Sequence, residues 1–111
     1  MAARHFRAHQ RFQVDLPVQA RVLGRTLNVG GSMVDVGLGG GACMLDEPLR
    51  LGEEVLLVVD GVPAAEIRAA VAWVAWGEST AARVGFQFAD DALDLVVALL
   101  ERVVPREDVG T

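Results

Sequence analysis

The sequence predicts an all-β domain that ends in one helix, and three observations carry that prediction. Short runs alternate apolar and polar residues along most of the chain, glycine, proline, asparagine and aspartate separate them, and only near the C-terminus does the apolar spacing change to three and four residues. So many short strand edges are best protected by closing the sheet on itself, which favours a small barrel over a sandwich.

The first run extends from Gln13 to Leu23, with Val14, Leu16, Val18, Ala20 and Val22 on one face and Gln13, Asp15, Gln19 and Arg21 on the other. Pro17 lacks a ladder donor, so the start of this strand belongs at an edge or a bulge. Gly24-Arg25 and Asn28-Val29-Gly30-Gly31-Ser32 both carry turn chemistry and predict a reversal. Met33–Val36 reads as a second strand that enters a glycine-rich bend at Gly37–Gly41 and resumes as Ala42–Leu45. Asp46-Glu47-Pro48 is a loop.

Glu53–Asp60 follows, with Val55, Leu57 and Val59 opposed to Glu54, Leu56 and Val58, a pattern that suits a strand either central or partly covered on its second face. Asp60-Gly61 is a tight-turn signal. In Glu66–Trp76, Ile67, Ala69, Val71 and Trp73 form one set, and one tryptophan of Trp73 and Trp76 is expected to fill the barrel while the other packs under the helix. Gly77–Thr80 turns the chain into Arg83–Phe88, where Val84, Phe86 and Phe88 face inward. Asp90 or Asp91 is placed to cap a helix whose Leu93, Val96, Val97, Leu100 and Val104 share a face, and Pro105 stops it.

Composition narrows the function. At 111 residues the chain holds one domain, and although 52% of it is apolar, no run reaches the roughly 18 to 20 residues of a membrane span. The N-terminal Met1–Arg7 is basic with no apolar stretch behind it, so it is not a secretory signal, and a cytoplasmic address is expected. Cys43 is the single cysteine and reads as a small buried hydrophobe. His5 and His9 have no companions at metal-ligand spacing, and no nucleophile with a partnered base appears, so neither a metal site nor catalysis is expected. The net charge of −5 argues against direct nucleic-acid binding. Yet the first 30 residues hold Arg4, Arg7, Arg11, Arg21 and Arg25 against Asp15 alone, which gives a small anion a cationic front to approach.

Two stretches concentrate the chemistry. Arg7 and Arg11 set two guanidiniums four residues apart just before the first strand, and a guanidinium grips phosphate or the guanine edge through paired N–H donors. Asp35-Val36-Gly37-Leu38-Gly39-Gly40 sets a carboxylate acceptor beside a bare glycine bend. Together they outline a guanine-nucleotide site.

With this order of strands, the chain resembles the PilZ domain family, the bacterial receptor module for cyclic di-GMP, over nearly its whole length. Arg7-Ala8-His9-Gln10-Arg11 matches the family's two arginines separated by three residues. Asp35–Gly40 matches its second motif, Asp or Asn, any residue, Ser, any two, Gly, with Asp35 and Gly40 kept and the serine replaced by Gly37. Leu51-Gly52-Glu53-Glu54-Val55, Val71-Ala72-Trp73-Val74 and Val84-Gly85-Phe86-Gln87-Phe88 are further family habits.

The resemblance implies a six-stranded antiparallel Greek-key β-barrel with a C-terminal α-helix, built from a flexible arginine-bearing arm at 1–12, a barrel and helix at 13–104 and a tail at 105–111. It implies a cyclic di-GMP site at Arg7, Arg11, Asp35, Gly37 and Gly40. The arginines would take phosphate and guanine, Asp35 would accept from guanine N1 and N2, and Gly40 would admit the backbone closely. The missing hydroxyl at Gly37 costs one neutral hydrogen bond, roughly two- to twelvefold in affinity, and Gly37→Ser is expected to sharpen binding where the site is otherwise intact and to change nothing where it is vestigial. No cofactor is implied. The expected role is a cytoplasmic receptor or adaptor, monomer or weak homodimer, whose closing arm alters a surface read by an unidentified effector protein. The alternative is a degenerate interaction module that binds no nucleotide and acts by protein–protein contact.

Overall fold

The computed structural model describes Phe6 and residues 9–60, 66–76 and 81–103. Six strands, β1 (Phe12–Val22), β2 (Leu27–Val36), β3 (Gly40–Leu45), β4 (Glu54–Val59), β5 (Glu66–Trp76) and β6 (Ala82–Phe88), precede a 3-10 turn at Asp90–Ala92 and a helix, α1 (Leu93–Val103). All pairings are antiparallel and the sheet closes as a barrel in the order β1-β2-β3-β6-β5-β4. The fourth strand returns beside the first, which is the Greek-key arrangement. Closure leaves no long open edge.

Inward residues of every strand meet in one core, among them Val18, Ala20, Met33, Cys43, Leu57, Ile67 and Val84. Each fully buried aliphatic side chain contributes about 1.5–3 kcal/mol through its removal from water. Val96, Leu99 and Leu100 of α1 join the same core. Among the described residues, no helix is long and apolar enough to cross a membrane.

Several local expectations are corrected. The reversal after β1 is confined to Leu23–Thr26, and Asn28–Ser32 lies within β2. Gly31 is pressed against the Met44 carbonyl of β3, so its missing side chain serves strand approach, not a turn. The helix begins differently too: Ala89 occupies the N-cap of the 3-10 turn, with Asp90 and Asp91 in the first turn. Leu93 is half exposed while Leu99 is buried, so the face of α1 turned to the core is centred on Val96, Leu99 and Leu100. Val104 lies outside the described residues.

Pro17 sits where the sequence reading placed it. The pairing of β1 with β2 shifts register between Gln13 and Leu16, and β4 pairs with β1 only from Val18 onward.

Two further register shifts shape the outer surface. In β2 the pairing with β3 passes from Met33 opposite Cys43 to Asp35 opposite Ala42, leaving Val34 as an extra residue. Met33 is buried in the core, and strict alternation would have turned Asp35 inward as well. The bulge sends it out. In β5 the shift between Val71 and Trp73 does the same, so Trp73 is 43% exposed and Val74 packs against the core instead. Trp76 is 69% exposed. Neither tryptophan fills the barrel or lies under the helix.

Candidate functional site

The two bulges place Asp35 and Trp73 in one row across the outer face, Asp35 of β2, Ala42 of β3, Gly85 of β6 and Trp73 of β5, each paired with the next. The middle of the row carries no bulk. The indole of Trp73 lies directly over Gly85, where even a β-carbon would overlap its ring. A flat aromatic surface and a carboxylate thus flank a shallow floor.

Arg11 precedes β1 and reaches across to Asp35. Its Nη1 donates to Asp35 Oδ1 at 2.9 Å and to the Gly40 carbonyl at 3.1 Å. A third residue enters from β6, where Arg83 Nη2 lies 3.3 Å from Asp35 Oδ2. One carboxylate therefore meets two guanidiniums, and the cluster keeps one surplus positive charge. Both arginine side chains are about half exposed, at 52% and 50%, whereas that of Asp35 is 21% exposed. The acceptor is sunk and the donors are open to solvent.

The bend at 37–40 is closed by the Gly37 N–H donating to the Gly40 carbonyl at 2.8 Å. Gly37 is buried, and a β-carbon on it would overlap the Gln10 carbonyl oxygen and lie 2.9 Å from Arg11 Cδ. The bare backbone at 37 is what lets the segment before β1 lie on the bend. A serine at this position therefore requires the segment before β1 to shift. Gly40 is likewise explained by β6, since a β-carbon there would overlap the Phe86 carbonyl.

Of the predicted residues, Arg11, Asp35, Gly37 and Gly40 converge at this point, while Arg7 lies outside the described residues. Phe6 packs edge-on against Phe12, with ring centroids 5.8 Å apart. His9 is exposed, and His5 lies outside the described residues. Among the described residues no cluster of His, Cys, Asp and Glu is arranged to hold a metal ion.

Sequence reading missed Arg83 and Trp73 as neighbours of the site. The signal for Trp73 was a large aromatic opposite a glycine in the next strand, which only the register reveals. Cys43 sits beneath the site on the inner face of β3, and its thiol pKa is pushed up to about 12, by burial first and by the charge of Asp35 second.

No curated protein matches the chain. Among solved structures it is similar to the Bacillus subtilis inhibitor of motility (MotI/DgrA), at 17% identity and a TM-score of 0.59, covering 92% of this chain and 51% of that one. The chain thus spans about half the length of that protein. It is similar also to the PilZ domain of YcgR from Escherichia coli, a structure with c-di-GMP, at 16% identity and a TM-score of 0.59, covering 86% of this chain and 93% of that one. At such identities these likenesses establish the fold. The PilZ domain family model matches residues 5–104, which takes in both arginines, the glycine bend, all six strands and the helix as far as its end. A match over so much of the chain, on a closed six-stranded barrel with the motif residues gathered at one bend, makes this protein a member of the PilZ domain family.

Proposed function

We propose that the chain is a receptor for cyclic di-GMP that works as an adaptor and not as a catalyst. The observation that carries this reading is the convergence of Arg11, Asp35 and the Gly40 carbonyl at the β2–β3 bend. Cyclic di-GMP brings two phosphates and two guanines. Guanidiniums at Arg11 and Arg7 answer the phosphates and the O6/N7 edge of guanine, and Asp35 accepts from guanine N1–H and N2–H. Trp73, in the same row, offers a face on which a base stacks. The arm at 1–12 closes over the ligand, the composite surface of arm and barrel changes, and an effector protein in the cytoplasm reads it as a shift in population.

The test is calorimetric titration of the full chain with cyclic di-GMP. Saturable binding in the micromolar range or tighter is expected, with loss of at least about tenfold in Arg11→Ala and in Asp35→Ala. Absence of heat and of chemical-shift change at millimolar ligand overturns the reading. Gly37, standing where the family has serine, favours a second reading, an interaction module that binds no nucleotide. The same null result in both the parent and Gly37→Ser would favour it.

A further inference from the structure

The contact between Arg83 and Asp35 has the geometry of a placeholder. A charge-assisted N–H···O bond has its optimum near 2.7–2.9 Å, and the Arg11 bond to Oδ1, at 2.9 Å, meets it. The Arg83 contact to Oδ2, at 3.3 Å, does not. Exposed pairs of this kind add little to stability, so folding gives little reason for Arg83 to span β3 toward a carboxylate already served by another arginine. The pairing of β6 with β3 puts Arg83 opposite Met44 and one outward position along from Gly85, beside the floor of the site and not at its margin.

We propose that Arg83 is a further ligand-binding residue, which gives up Asp35 when a guanine edge arrives and carries its guanidinium onto a phosphate of the ligand. The inference rests on the reading of the site as a cyclic di-GMP receptor and adds to it a residue outside both sequence motifs. The N1–H and N2–H donors of guanine point the same way and need both oxygens of a carboxylate. Of the two arginines, the one held at longer range on Oδ2 yields first. Its five N–H donors have no acceptor within the side chain itself, and the incoming phosphates supply one. Before binding, two guanidiniums share one carboxylate. Afterwards Arg7, Arg11 and Arg83 stand against Asp35 and the two phosphates, so the charges match in number and the site does not bring uncompensated negative charge together.

The experiment is titration of the full chain with cyclic di-GMP at about 50 and about 300 mM salt, comparing the parent protein with Arg83→Gln and Arg83→Lys. Arg83→Gln is expected to bind about tenfold or more weakly and with a shallower dependence on salt, because one phosphate contact is gone, while Arg83→Lys recovers part of both. Circular dichroism of each variant should match the parent, since Arg83 is half exposed. If Arg83→Gln binds like the parent, or loses affinity while keeping the parent's full salt dependence, Arg83 touches no phosphate and the assignment is wrong. If the parent itself takes up no cyclic di-GMP, the receptor reading fails first and the assignment falls with it.

Discussion

Gly37 and Arg11 are packed so closely that a β-carbon on the glycine would sit 2.9 Å from Cδ of the arginine and overlap the preceding Gln10 carbonyl. The bend and the segment entering β1 are therefore a single packed unit, and the placement of the Arg11 guanidinium depends on the absence of a side chain just past the end of the neighbouring strand, β2.

A side chain at 37 must displace that segment. Gly37→Ala and Gly37→Ser are both expected to lower stability by about 1–3 kcal/mol, the usual range for forcing atoms into a filled site, and to bind cyclic di-GMP no more tightly than the parent. Chemical denaturation measures the first and calorimetry the second. Tighter binding by Gly37→Ser would mean that the segment before β1 moves aside at little cost.

The indole of Trp73 rests on Gly85 with no space between them. Gly85→Ala is expected to lift the ring, shift the tryptophan emission and destabilise the barrel by about 1–3 kcal/mol. Trp73→Ala should be milder, because the ring is 43% exposed. Emission spectra with equilibrium denaturation separate the two.

Cys43 is fully buried, with its thiol pKa raised to about 12. At pH 8 only about one molecule in ten thousand carries the thiolate, the reactive form. Iodoacetamide should leave the native protein unlabelled over hours and label it promptly in denaturant, with mass spectrometry as the readout. Because the folded state holds this proton more tightly than the unfolded chain, stability is expected to fall as pH rises above the ordinary thiol value of 9.0 toward 12.

Glu53 accepts two bonds from Arg25, at 2.8 and 3.0 Å, and one from the Arg50 backbone N–H at 2.9 Å. The side-chain bonds from Arg25 and the Arg50 amide hold its carboxyl below the ordinary 4.5. A lowered folded value means a contribution present in full above the ordinary value and lost as pH falls through the folded one. Thermal melts between about pH 6 and pH 3 should show a steeper acid decline for the parent than for Glu53→Gln, whose stability at neutral pH is already reduced.

Much of this architecture was written in the sequence by period alone. The alternation of Val18, Ala20 and Val22, of Val55, Leu57 and Val59, and of Val84, Phe86 and Phe88 fixes which face of each strand meets the core, because a strand has only two faces and water selects between them. The motif spacing named Arg11, Asp35, Gly37 and Gly40 as a group. Alternation fails where a strand gains an extra residue, and that is where the site lies: the bulges at Val34 and Ala72 turn Asp35 and Trp73 outward, against the phase of their own strands. Arg83 was invisible for a related reason, since nothing local to β6 records that β2 lies two strands away. Burial pattern is a property of the chain, whereas register across a closed sheet is a property of all six strands at once, and only the folded barrel decides which outward side chains become neighbours.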